Sequence, residues 1–249
     1  MPGRLRWLRG VLRVSCGCLA LVCACIMTQD LYAPCRAFCI QIMTPDQKRC
    51  TRVPSPLMSQ GRAMELLQAN AALVVIDMQQ GMNHPKLGRR NNPDAELRIQ
   101  QLLHAWRASR RPVIHVRHIS RSPESVFWPG QPGCEFQEAL HPLSHEHVVE
   151  KNVPDAFTAT GLERWLHARS IRQLVIAGVI TNNSVEATAR SGGNLGFAVI
   201  VASDACYTFD QKDLAGRLWS AEDVHAMSLS NLAMDYARIF EVAELMGSI

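Results

Sequence analysis

From Ala71 onward the hydrophobic and polar positions switch between two periods. "AALVVID", residues 71–77, is an unbroken apolar run closed by Asp77, the pattern of a strand buried on both faces. Residues 93–110, "PDAELRIQQLLHAWRASR", set Leu97, Leu102, Leu103 and Trp106 near helical spacing. The same reading predicts strands at 111–118 ("RPVIHVRH"), 145–151 ("HEHVVEK"), 171–180 ("IRQLVIAGVI"), 197–205 ("FAVIVASDA") and 236–245 ("YARIFEVAEL"). Helices are predicted at 161–170, 183–196 and 220–235. Strand and helix alternate, joined by connections too long for hairpins. The expected fold class is α/β: a Rossmann-like three-layer fold with a six-stranded, mostly parallel sheet in the order 3-2-1-4-5-6. Its ligand crevice lies at the carboxyl ends of the strands. The irregular stretch from Ile119 to His145 is too long for a plain connector and is expected to wall that crevice.

The first 63 residues read differently. Residues 1–64 hold nine basic and two acidic side chains, a balance of +7 in a chain whose total is +4, so the body sums to −3. No general basic excess in the body points to nucleic acid. Seven of the nine cysteines lie in the first fifty residues, leaving only Cys134 and Cys206 for the body, which argues against a disulfide framework and for a reducing, cytoplasmic setting. "MPGRLRWLRGVLR" followed by "VSCGCLALVCACIM" has the outline of a charged segment before an apolar one. That apolar run falls short of the ~20 residues a membrane span needs. Residues 1–63 are therefore expected to be a non-domain extension, either a targeting segment or translation from a misplaced start. Membrane contact is expected only if residues 1–30 are such a segment, and residues 64–249 form the folded domain.

Three polar side chains fall at strand ends. Asp77 closes the first strand, Lys151 closes the third, and Ser184 opens the helix after the fourth. Acid, ammonium and hydroxyl from separate segments make a plausible catalytic set. Taken singly, each has an ordinary alternative: a loop cap, a solvated charge and a helix cap. Asn183 with Glu186 has the spacing of a capping box, which would put Ser184 in the first helical turn. A serine hydroxyl there is too weak an acid for the helix dipole alone to activate it, and Asp77 is the candidate base.

The blocks "ALVVIDMQQGM", "PGQPGCEF", "VVEKNVPDAFTATGLERWL", "LVIAGVITNNSVEATARSGGNLGF" and "SDACYTFD" together resemble the isochorismatase-like cysteine hydrolase superfamily. That group includes N-carbamoylsarcosine amidohydrolases, nicotinamidases and isochorismatases. The resemblance spans about Ala71 to Leu245 and implies an Asp–Lys–Cys triad. Asp77 and Lys151 match its first two members, and Ser184 stands where the cysteine would be. It also implies an oxyanion hole from the Ile180 and Ser184 N–H groups, beside a non-proline cis bond between Val179 and Ile180. A small-molecule substrate and a homo-oligomer, dimer or tetramer, follow from the same likeness. Hydrolysis of an amide or ureide C–N bond by Asp77, Lys151 and Ser184 is the leading expectation. Two alternatives stay open: acid–base hydrolysis of the isochorismatase type by Asp77, and a catalytically silent binding or assembly module.

Gln80, close after Asp77, and the aromatic side chains Trp128 and Phe157 are candidates for substrate contact. No metal and no cofactor are expected. His84 is isolated, and His115 and His118 fall on opposite strand faces. His145 and His147 lack a convergent acid, and no glycine-rich loop follows the first strand.

Overall fold

The structure, a computed structural model, describes residues 66–249; the expectation for residues 1–63 lies outside them. Six strands form one sheet: β1 (Ala72–Ile76), β2 (Val113–His118), β3 (His147–Lys151), β4 (Gln173–Val179), β5 (Ala198–Tyr207) and, last in the chain, β8 (Ala237–Phe240). Their order is β3-β2-β1-β4-β5-β8, with every neighbouring pair parallel. This is the expected topology, with β8 as the sixth strand. All residues of β1 and β4 are buried, as central strands covered on both faces must be.

Helices α1 (Ala95–Ala108) and α5 (Val242–Met246) cover one face. Helices α2 (Leu162–Ala168), α3 (Glu186–Asn194) and α4 (Ala221–Asp235) cover the other. In α1 the buried stripe is Ile99, Leu102, Leu103 and Trp106, a 0, 3, 4, 7 spacing. Leu97, read as part of that stripe, is 57% exposed, because Ile99 fills the inward position. Trp106 Nε1 donates to Ala71 O at 2.9 Å, tying α1 to the start of β1. Ser220 caps α4, its Oγ accepting from Asp223 N.

Two expectations need correction, and one element lies outside them all. The strand predicted over 236–245 ends at Phe240, where Glu241 and Glu244 form a reciprocal capping box that opens α5. A short antiparallel ribbon, β6 (Gln211–Lys212) with β7 (Leu218–Trp219), rises between β5 and α4 in a stretch without strand periodicity. The helix predicted from 183 begins at Glu186, after a wide π-type turn over Thr181–Val185, and no side chain caps it.

Two backbone features shape the crevice end of the sheet. Gly178 has φ +120°, and a Cβ there would lie 2.2 Å from Ile76 O, so only glycine lets β4 approach β1 this closely. Beside it the β4–β5 register shifts between Ile176 and Gly178, a bulge that re-aims the end of the sheet. Among the described residues no helix is long and apolar enough to cross a membrane.

Candidate active site

Asp77 follows β1 in a left-handed conformation, φ +53°, with its N–H donating to Val116 O at 2.8 Å on the neighbouring strand. Aspartate tolerates this region better than most side chains. Lys151 ends β3, the edge strand, and points inward with Val149, which lies two residues earlier on the same buried face. Ser184 lies in the wide turn after β4. The Val179–Ile180 peptide bond preceding this turn is cis. Both Asn183 N and Val185 N donate to Ile180 O, at 3.0 and 3.2 Å, which folds the turn around that carbonyl.

The structure brings the three side chains together. Lys151 Nζ donates to Asp77 Oδ2 at 2.7 Å and to Ser184 Oγ at 3.2 Å. All three residues are buried. Asp77 Oδ1, also buried, has no hydrogen-bond partner among the described residues. Burial pushes the Asp77 carboxyl above its ordinary value, and the Lys151 ammonium offsets only part of that rise. A carboxylate moved toward neutrality is a stronger base when ionised and a usable acid when not. Ser184 is thus neither a helix cap nor inside an α-helical turn; its hydroxyl faces the ammonium. Glu186, read as the capping-box partner of Asn183, instead pairs with Arg190 and accepts from Ser228 Oγ.

The wide turn is braced from outside. Thr181 Oγ1 lies 2.8 Å from His225 Nδ1 of α4. Asn182 accepts from Thr208 Oγ1 at 2.6 Å and donates to Gln211 Oε1 at 2.8 Å. Ser228 Oγ reaches Thr181 O at 3.3 Å.

The candidate substrate contacts fare unevenly. Gln80 is exposed, and its amide reaches only Phe136 O at 3.4 Å. Phe157 lies away from the crevice. It stacks on Phe197, the residue before β5, and so belongs to packing at the amino end of the sheet. Trp128 sits half-buried in the irregular loop, where its carbonyl accepts from Gln131 N. That loop does pack against the segment following β1: a Cβ on Gly81 would meet Phe127 and Val126 within 3 Å.

Two residues at the crevice escape a reading by periodicity. Gln79, fully buried, accepts from His118 N at 2.8 Å and donates to His118 O at 3.0 Å and Cys134 O at 2.9 Å. One amide therefore ties β1, β2 and the loop together. His118 is the register partner of Lys151 and lies edge-on to Phe127, with ring centroids 6.0 Å apart. Burial, and then the nearby Lys151 charge, hold its pKa below the ordinary value. Cys134 and Cys206 are buried free thiols. Burial pushes both upward, Cys206 to about 12, so neither presents a thiolate. Among the described residues no group of three or more His, Cys, Asp or Glu is placed to hold a metal.

The family model for the isochorismatase domain matches residues 71–243. The chain is 33% identical over 181 residues to the uncharacterised isochorismatase family protein YrdC of Bacillus subtilis, a match covering 73% of this chain and 97% of that one. It is similar to the crystal structure of an isochorismatase-family protein from Chromobacterium violaceum, at 47% identity and a TM-score of 0.72, covering 74% of this chain and 96% of that one. It is 28% identical over 192 residues to nicotinamidase 3 of Arabidopsis thaliana, across 72% of this chain and 88% of that one.

Proposed function

The chain belongs to the isochorismatase family of hydrolases, and we propose that it hydrolyses a C–N bond, an amide or ureide, in a small molecule, with Ser184 as nucleophile. The observation that carries this reading is the position of Ser184 Oγ, 3.2 Å from a lysine that also holds Asp77 and away from any capping role. The amide-hydrolysing name of the Arabidopsis relative supports the bond type.

In the proposed reaction Asp77, through its unpartnered Oδ1, takes the Ser184 proton as Oγ attacks the carbonyl carbon. The N–H groups of Ile180 and Ser184 stabilise the resulting oxyanion. Collapse breaks the C–N bond, and the departing nitrogen takes the proton from Asp77, leaving an ester on Ser184. Water then attacks that ester, giving one proton to Asp77, which returns it to Ser184 Oγ as the acid product leaves. Lys151 stays charged throughout, orienting Oγ and compensating the carboxylate.

The raised pKa of Asp77 favours one alternative, acid–base hydrolysis by Asp77 without a covalent intermediate. A panel of small amides, ureides and isochorismate, run with the native chain, Ser184→Ala and Asp77→Asn, separates the two. Covalent catalysis requires turnover to vanish in Ser184→Ala and an acylated Ser184 peptide to be trapped by mass spectrometry. Turnover that survives Ser184→Ala and is lost in Asp77→Asn overturns it in favour of the acid–base route.

A further inference from the structure

The body of the chain is net acidic, yet its arginines are not evenly spread. Residues 65–249 hold 17 Lys and Arg. Four of them, Arg107, Arg110, Arg111 and Arg169, line one cleft of about 600 Å³ together with His145, His147 and Trp165. The cleft opens at the amino ends of β2 and β3, opposite the Asp77–Lys151–Ser184 site. Its one carboxylate, Glu146, is already committed: it accepts two hydrogen bonds from Arg107, at 2.8 and 2.9 Å, and lies 2.9 Å from His115 Nε2. That leaves the charges of Arg110, Arg111 and Arg169 with no ion pair among the described residues.

Helix geometry accounts for part of this set. Arg107 stands in the last turn of α1 and Arg169 at the end of α2, where a cation offsets the helix dipole. Arg110 and Arg111 are surplus to that need. Arg110 follows the helix at φ +55° and is exposed. Arg111 makes a single side-chain hydrogen bond among the described residues, Nε to Ala69 O at 3.2 Å, and its buried Nη1 has no partner among them. Arg169 is held in the wall by Trp165, with its guanidinium carbon 4.1 Å from the ring centroid. His147 stacks on the same indole at 4.3 Å and 7°. Arg169 and His147 are therefore positioned by packing before any ligand arrives, and guanidinium forks match oxyanion geometry.

We infer that this cleft is a second binding site, for a compact multivalent oxyanion of the phosphate-ester or pyrophosphate type. The inference is independent of the reaction proposed for Ser184. His147 and Lys151 are the two ends of β3, roughly 13 Å apart at about 3.3 Å per residue, so the two sites share a strand but no side chain.

The test is calorimetric titration of the full chain with inorganic pyrophosphate at about 0.15 M salt, where exposed charges are largely screened. Saturable binding is expected, weakened about tenfold or more in the double variant Arg110→Ser, Arg169→Ser, and unchanged in Asp77→Asn. Circular dichroism confirms that the double variant is folded; both positions are exposed, and neither side chain is packed in the core. The inference is overturned by an absence of saturable binding, by binding that the double variant retains in full, or by binding lost in Asp77→Asn.

Discussion

Replacing Lys151 with methionine leaves the Asp77 carboxyl buried with no cation beside it. Breaking a buried pair this way costs about 3–5 kcal/mol when the remaining charge must stay ionised. Asp77 has a cheaper course, because burial already raises its pKa and removing Lys151 raises it further. The variant therefore folds with Asp77 protonated, while the unfolded chain releases that proton above its ordinary value of 3.8. Between those two values the folded state binds more protons than the unfolded state, so stability falls as pH rises, by up to about 1.4 kcal/mol per pH unit. From pH 5 to pH 7 the Lys151→Met chain should lose up to about 2.7 kcal/mol on this account. The native chain should lose less, since Lys151 offsets part of the shift. Urea unfolding of both proteins at the two pH values reads the difference directly. Equal losses in the two proteins, or a variant deficit that is larger at pH 5, would refute this account of Asp77.

Gln79→Leu keeps the volume but strands the N–H and carbonyl of His118 and the carbonyl of Cys134; a loss of about 2–4 kcal/mol is expected in chemical denaturation. Gly178→Ala drives a Cβ into Ile76 O at a positive φ, so it should destabilise by more than the ~1 kcal/mol that a glycine-to-alanine change gains where the backbone allows it, measured the same way. Glu146→Gln should flatten the acid limb of the stability profile. Burial works to raise this carboxyl, but hydrogen bonds from Arg107, His115 and Leu143 N hold it well below its ordinary 4.5. The native chain therefore loses stability as pH falls below that value, and a variant with no carboxyl there should not. A Glu146→Gln protein whose urea midpoint still drops as steeply through that range would sink the assignment.

The sheet was legible because β1, β2, β4 and β5 are apolar enough to be buried on both faces, and parallel strands leave no other arrangement for the helices between them. Asp77 was legible for the same reason, as the polar residue at which a buried run stops; Lys151 was legible only as the end of a short edge strand that alternates between exposed and buried positions. Periodicity fails just past those ends. Once Asp77 turns into the left-handed region, alternation no longer says which of the two glutamines points inward, and Gln79, not Gln80, takes the buried place. Phe157 lies six residues beyond Lys151, and the loop from β3 carries it back to the amino end of the sheet, a path that no local pattern encodes. The true start of α3 was hidden because Asn183 and Glu186 have cap spacing, yet the wide turn carrying Ser184 supersedes it. The final strand was overextended because "EVAEL" continues the apolar alternation, while its two glutamates form the helix cap.

The backbone at Asp77 also governs how any substitution there can be interpreted. A residue at φ +53° is chosen for conformation as well as for its carboxyl. Alanine, valine or leucine at this position removes the acid and also puts a side chain without aspartate's tolerance into a region other L-residues enter at a cost of about 1–2 kcal/mol. Loss of activity in such a variant mixes chemistry with a shifted strand end. Asparagine shares the tolerance and the shape, and glycine keeps the conformation with no side chain at all. Position 77 is thus open to three residues on conformational grounds and to one on chemical grounds. Comparing Asp77→Asn with Asp77→Gly and Asp77→Ala divides the contribution of the carboxylate from that of the turn.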